Sequence, residues 1–367
     1  MYKIFNFSPG PATIPYEVLK QVQKELINWN NLNVSVMEIS HRSSDFINLL
    51  QNMKNDLREL IHIPEQYDIL FCQGGARTQF AAIPMNLLYY NETADYVNIG
   101  HWSLQAINEA KKYCLPNIIN PVKKKKDIFY IKKIKNWHLS SNSKYIHYCP
   151  NETIEGIAIN EEPEEPKLKN KIIIADLSSL ILAKEINIKN YGLIYASAQK
   201  NIGTAGLTLI IIRKDLIYQN TKKRKEIPSV LDYNIISKHN SMFNTPPTFS
   251  LYLSSLILKW LKKIGGIKYI SKINQKKSKL LYNAIDQSSF YINKIIPSNR
   301  SITNVTFSLQ EQKKESFFIK KAQENGLYYL KGHKIIGGLR ASIYNAMPIE
   351  GVKKLINFMR DFEKNYG

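Results

Sequence analysis

YGLIYASAQKNIGTAGLTLIIIR, residues 191–213, reads as two buried strands joined by a turn that carries a lysine. The apolar run from Leu193 to Ala196 brings the chain in as one short strand. Ser197, Gln199 and Lys200 follow in a turn of small residues, and Gly203 and Gly206 let the backbone bend sharply. Leu207 to Ile212 leaves as a strongly β-branched strand. A lysine placed there is expected to be buried among apolar neighbours, which lowers its pKa. A neutral amine can attack an aldehyde carbon and hold a Schiff base. An ordinary solvated lysine is the plain alternative.

Upstream, Lys171-Ile-Ile-Ile-Ala-Asp176-Leu-Ser-Ser179 is a second buried strand ending in an acid. The carboxyl ends of parallel strands are where open α/β sheets bind ligands. An aspartate there can pair with a protonated pyridine nitrogen and make the ring an electron sink. Lys200 and Asp176 together therefore point to pyridoxal phosphate, one per chain, as the cofactor. No metal site is expected.

The 367 residues suffice for two domains. No secretory leader and no apolar run near the length of a membrane span is visible. Cys72, Cys114 and Cys149 cannot all pair, which suits a reducing compartment and gives a cytoplasmic expectation. The net charge of +21 is high but spread out, apart from Lys123 to Lys126, Lys132, Lys133, Lys135 and Lys222 to Lys225. No nucleic-acid-binding signature accompanies it, so solvated basic loops are favoured over a polyanion site, with neither nucleic acid nor membrane as a partner.

Read in order, Ser8-Pro9-Gly10-Pro11 cannot be helical. A helix is expected over 16–29, then a loop with the adjacent pair His41 and Arg42. That pair is either an anion clamp or an ordinary surface loop. A helix over 45–62 leads to a strand over 68–72, the turn Gln73-Gly74-Gly75-Ala76-Arg77, and a helix over 79–88. Strand, glycine pair and helix N-terminus make a phosphate cradle, though glycine-rich turns of this kind are common. A strand over 94–99 ends before Trp102, which either stacks on a planar ring or packs in the core. A helix over 103–113 follows, and 117–142 reads as an irregular, basic excursion. Thr153 lies in the turn after a strand over 144–149 and would face the same crevice. Asn244 and Thr245 precede a stiff Pro-Pro pair and suit either an oxyanion contact or helix capping. A helix over 248–263 breaks at Gly265-Gly266, where the domain boundary is placed. Arg340 follows two glycines at the start of a strand and can fork a carboxylate.

These residues lie in long segments: FNFSPGPA, SVMEISHR, FCQGGARTQF, ADYVNIGHWS, HYCPNETIEGIAI, ASAQKNIGTAGLT, SMFNTPPTF and KGHKIIGGLRASIYNAM. In order and spacing, along essentially the whole chain, they resemble the phosphoserine aminotransferases, a class-V, fold-type-I family dependent on pyridoxal phosphate. The resemblance implies an α/β fold: an arm over 1–15 packing with the small domain, a large cofactor-binding domain over 16–264 with a mostly parallel seven-stranded sheet between helices, and a smaller α+β domain over 265–367. It implies that Lys200 holds the Schiff base and shuttles a proton, Asp176 pairs with the ring nitrogen and Trp102 stacks. Ala76, Arg77, Thr153 and Gln199 would line the cofactor. Asn244 and Thr245 would reach its phosphate from a neighbouring subunit, making a homodimer with shared active sites. Arg340 would fork the α-carboxylate, and Arg42, His41, Arg77 and His333 would hold the substrate's distal anion. The implied reaction is ping-pong transfer of an amino group from L-glutamate to 3-phosphohydroxypyruvate, with formation of 4-phosphohydroxy-L-threonine alongside it. Pro9 and Lys334 depart from the serine and arginine common in relatives, and Lys334 keeps the charge but loses the fork. The competing expectation is a non-catalytic polyanion-binding protein on the same fold, which would show damaged catalytic motifs.

Overall fold

The computed structural model describes residues 4–217 and 226–367, so the Lys222 to Lys225 run lies outside the described residues. Among these, the central sheet has seven strands. In spatial order they are Tyr67–Gln73, Leu207–Arg213, Leu193–Ser197, Ile172–Asp176, Ser143–Tyr148, Thr93–Val97 and Asn117–Ile119. All neighbours run parallel except Leu207–Arg213, which is antiparallel to both of its own. The reason is the connection. Residues 198–206 form a turn too short for the crossover that a parallel pair needs, so the chain doubles back.

Alternation along the strands sends side chains to two different cores. Ile69, Phe71, Ile173, Ala175, Ile194, Ala196, Leu209 and Ile211 face one layer, which includes residues of helices Ser44–Ile61 and Thr248–Lys263. Leu70, Cys72, Ile174, Leu193, Tyr195, Ile210 and Ile212 face the other, with residues of helices Ala76–Leu87 and His101–Ala110. A sheet covered on both faces explains the near-continuous apolar runs.

A third core is built on the three-stranded sheet of Tyr291–Ile292, Asn304–Leu309 and Leu339–Ser342. Helices Glu315–Glu324 and Ile349–Tyr366 pack on it. Helix Gly266–Asp286 serves two cores: Ile267 and Ile270 belong to the first, and Leu281 and Ile285 to the third. The N-terminal arm is tied to this last unit. Phe5–Asn6 pairs in parallel with Leu327–Tyr328, and Phe7 is fully buried.

Several expectations are corrected. The segment over 117–142 is ordered: Asn117–Ile119 forms the sheet edge, and Val122–Lys125 pairs antiparallel with Ile128–Ile131. Lysines on the ribbon mask its alternating pattern in the sequence. The first helix is Tyr16–Glu25 rather than 16–29. Beyond it Asn30, Asn31 and Asn33 all take positive φ, a conformation that asparagine tolerates and a helix does not. Helices Ala76–Leu87 and His101–Ala110 begin earlier than expected, which places Ala76, Arg77 and Trp102 in first helical turns. No helix among the described residues is long and apolar enough to cross a membrane.

The arm is held by its buried rings. Phe7→Ala is expected to lower stability by about 3–5 kcal/mol in urea unfolding. Ile4→Ala, at a residue 53% exposed, should stay within about 0.5 kcal/mol.

Candidate active site

Lys200 stands in the turn beyond Leu193–Ser197. The turn is tight. Ala198 N–H donates to Leu207 O at 2.9 Å and Gly203 N–H to Ala198 O at 2.7 Å. A Cβ on Gly203 would run into Ser254 Oγ, so only glycine allows this approach. Asn201 Nδ2 donates to Ile181 O at 3.1 Å, and Asn201 Oδ1 accepts from Asn345 N–H at 3.1 Å. Lys200 itself is half-buried, which corrects the expectation of an apolar enclosure: polar groups and the N-terminal arm surround it. A Cβ on Gly10 would lie 3.5 Å from Lys200 Cγ. Ala12 N–H donates to Gln199 O at 2.9 Å, and Tyr344 Oη to Pro9 O at 2.9 Å.

Asp176 is buried at the end of Ile172–Asp176, beside Tyr195 in register. Burial pushes its carboxyl above the ordinary carboxylate range. The charge of Lys200, the Ser178 amide (2.9 Å) and a hydrogen bond from Tyr195 act against that push. Behind it, Tyr195 Oη lies 2.8 Å from His147 Nε2. His147 is wholly buried, and burial lowers its imidazole to about 3, so the ring is neutral.

Helix His101–Ala110 is capped from two sides: its own Ser103 Oγ accepts from Gly100 N–H at 3.0 Å, and the turn at 150–156 supplies the rest. Glu152 Oε2 accepts from Trp102 N–H at 2.9 Å, and Oε1 accepts from Ser103 N–H at 2.7 Å and Ser103 Oγ at 2.8 Å. Glu155 Oε1 accepts from His101 N–H at 2.8 Å. A Cβ on Gly100 would sit 2.6 Å from Glu152 Cγ, which is why the residue before the helix is glycine. Burial and the neighbouring Glu155 push the Glu152 carboxyl upward, and the Ser103 and Trp102 donors hold it down.

The same turn aims the rest. Trp102 Nε1–H donates to Thr153 Oγ1 at 3.0 Å, and Arg340 Nη1 to Thr153 O at 2.9 Å. Arg340 is 6% exposed, and its Nε has no partner. The Arg77 guanidinium lies 5.4 Å from the Trp102 ring. The rings of His101 and His333 are 5.7 Å apart. Gln199 Oε1 accepts from Ser197 Oγ at 2.5 Å. Hydrogen bonds and ring contacts thus join Trp102, Thr153, Arg77, His101, His333 and Arg340 into one group. The charge of Lys200 acts on Asp176 at the neighbouring strand ends, with the Cys149 thiol feeling Glu152, Asp176 and Lys200 alike.

His41 and Arg42 stand apart. They lie on the turn before helix Ser44–Ile61, with Arg42 exposed and its N–H donating to Ser40 Oγ at 3.2 Å. His41 Nε2 is buried without a partner. Among the described residues no hydrogen bond, ion pair or ring contact ties either to the Lys200 group. Asn244 and Thr245 are exposed, with Thr245 O accepting from Gln73 Nε2 at 2.6 Å on the same chain. Sequence reasoning missed His101, Glu152 and Glu155. The two glutamates three apart in a turn were the available signal.

The residues fit pyridoxal phosphate. A buried carboxylate held above its ordinary pKa, next to a half-buried lysine, suits a cationic ring nitrogen. The first turn of Ala76–Leu87, after the extended Gly75, offers helix N–H groups to a phosphate.

Residues 4–355 match the family model described as Aminotransferase class-V. The phosphoserine aminotransferase of Buchnera aphidicola subsp. Schizaphis graminum is 58% identical over 367 residues, covering all of both chains. The solved phosphoserine aminotransferase of Bacillus circulans subsp. alkalophilus superposes with a TM-score of 0.93 at 38% identity, over 99% of both chains. The pyridoxal-phosphate-bound phosphoserine aminotransferase of Trichomonas vaginalis superposes with a TM-score of 0.90 at 36% identity, over 97% of this chain and 99% of that one. The chain belongs to the class-V aminotransferases.

Glu152→Ala removes three hydrogen bonds from a buried helix start. It is expected to lower stability by about 2–4 kcal/mol in urea unfolding, with Glu152→Gln clearly milder because the amide oxygen still accepts.

Proposed function

We propose that this class-V aminotransferase is a phosphoserine aminotransferase, moving an amino group between L-glutamate and 3-phosphohydroxypyruvate to give O-phospho-L-serine and 2-oxoglutarate. The observation that carries the reading is the charge of Lys200 acting on the buried Asp176 at the strand ends, near the group in which Thr153 ties Trp102 to Arg340 and Arg77 lies over the Trp102 ring.

Pyridoxal phosphate, when bound, supplies an electron sink that lets the Cα–H bond of an amino acid ionise. Lys200 Nζ would take the proton from the Cα of the amino donor in one half-reaction and deliver a proton to the Cα of the new amino acid in the other. Asp176 would keep a proton on the ring nitrogen by pairing with its charge, and the burial of Asp176 among Tyr195 and Ser178 would exclude water from that pair. Trp102, held by its Thr153 hydrogen bond, would cover the ring face. The amides at Ala76 and Arg77, with Gln199, would hold the cofactor phosphate. Arg340 binds the α-carboxylate as a fork, its guanidinium fixed by Thr153 O. Arg77 and His333 hold the distal anion, which is a carboxylate in one half-reaction and a phosphate in the other. The same anion site admits the four-carbon phospho-acid that yields 4-phosphohydroxy-L-threonine.

His41, Arg42, Asn244 and Thr245 serve the crevice of a second copy, which makes a homodimer with shared sites. The exposure of Arg42, Asn244 and Thr245 supports this, as do the exposed apolar side chains Val34, Met37 and Phe243 in the same segments. Three cysteines that form no disulfide, Cys72, Cys114 and Cys149, fit the reducing cytoplasm.

With pyridoxal phosphate the purified chain is expected to gain a visible absorbance band that L-glutamate bleaches and 3-phosphohydroxypyruvate restores. Lys200→Ala should form no such band, and Asp176→Asn should lower kcat by about 10²–10³-fold. A wild-type chain that gains no band overturns the reading. Mixing Lys200→Ala with Arg42→Ala, each inactive alone, should restore activity if subunits share sites.

A further inference from the structure

We propose that His101 is a substrate-binding residue, forming with His333 a pair of imidazoles that closes on the phosphate of the phosphorylated 2-oxo acid and takes up a proton as it binds. The proposal rests on the aminotransferase reading of this crevice and deepens it.

The geometry carries it. The two rings lie 5.7 Å apart and tilted by 42°, so they do not stack, and their nitrogens can converge on a third group. His101 opens helix His101–Ala110, where the dipole favours an anion. Its N–H is fixed by Glu155 Oε1, and its ring sits edge-on to Trp102 at 5.2 Å. His333 Nδ1 accepts from Ile335 N–H at 3.3 Å, which leaves Nε2 as the free, proton-bearing edge of the neutral ring. Both histidines are half-buried and so remain within reach of a ligand.

The charges around the pair set its response. Arg77 and His333 face His101; Arg340 and Lys334 face His333; Glu155 and, behind it, Glu152 are the facing acids. Burial and these cations hold both imidazoles below their ordinary pKa. In the free enzyme at neutral pH they are neutral donors. A phosphate monoester brings a charge near −2, a γ-carboxylate only −1. The phosphate therefore raises the imidazole pKa more. Binding gained this way is complete below the free-state pKa and is lost as pH rises through the bound-state pKa. KM for the phospho-substrate should climb above neutral pH, and KM for glutamate should climb less.

The test uses the holoenzyme. His101→Asn is expected to raise KM for 3-phosphohydroxypyruvate about 10-fold near pH 7. The rise for glutamate should be several-fold smaller, and the climb of the phospho-substrate KM with pH should flatten. Imidazole ¹⁵N NMR of the holoenzyme should show inorganic phosphate raising the pKa of two histidines, one missing in His101→Asn and one in His333→Asn. Equal rises in both KM values, or a His101 signal that phosphate leaves unmoved, would overturn the proposal. Failure of glutamate to bleach the wild-type band would instead overturn the aminotransferase reading.

Discussion

The turn at residues 150–156 is the contact on which the crevice depends. Glu152 is fully buried, and three donors of one helix start converge on its carboxyl, working against the upward push of burial and of Glu155. A carboxylate accepting several N–H bonds recovers much of its desolvation cost. From the same turn Asn151 Nδ2 reaches Ser179 Oγ at 2.7 Å and Asn304 Oδ1 at 3.2 Å. Glu155 O accepts from Thr306 Oγ1 at 3.0 Å, and Gly156 O accepts from Ser301 N–H at 3.0 Å. Gly156 has no room for a side chain, since a Cβ would stand 2.9 Å from Thr306 Cγ2, and its φ of +72° favours glycine as well. One short segment thus fixes Trp102, Arg340 and the junction between the two sheets.

The opposite wall is built by the same means from distant parts of the chain. The N-terminal arm is anchored by Phe5 and Phe7 in the third core and then crosses Lys200. Lys277 is fully buried in helix Gly266–Asp286, its Nζ donating to Tyr344 O at 2.7 Å and Met347 O at 2.9 Å. Burial lowers its ammonium to about 7. It holds the turn from which Tyr344 reaches Pro9 O and Asn345 reaches Asn201, next to the reactive lysine. Packing of the last hundred residues is therefore linked to the placement of Lys200 by hydrogen bonds within the turn at 344–347.

Much of this was legible in the sequence, for reasons that differ by residue. Lys200 and Asp176 stood out because strand ends are local and period-2 burial is strong. Helix Thr248–Lys263 was read to the residue because Pro246-Pro247 and Gly265 bracket it. The start of His101–Ala110 was misread because most of its cap comes from about fifty residues downstream, and no local pattern reports a cap supplied from so far along the chain. Residues 117–142 were misread because lysines occupy the exposed positions of a real ribbon. Half-burial of Lys200 escaped notice because the groups that open its surroundings, Gly10 and Ala12, lie at the other end of the chain. His101 escaped for the same reason: its partner ring is more than two hundred residues away.

A crevice serving two half-reactions has to release what it binds. Permanent cations are already present in Arg77 and Arg340, and further guanidinium groups would hold a phosphate monoester more firmly than a carboxylate at every pH. Imidazoles kept neutral by those same cations avoid this. They are plain hydrogen-bond donors toward a γ-carboxylate and gain charge only while a dianion is in place. When the dianion leaves, the proton leaves too, because Arg77, Arg340 and Lys334 disfavour the charged rings left behind. On the proposed reading, the depressed imidazole pKa values thus tie the charge of the two rings to the presence of the dianion.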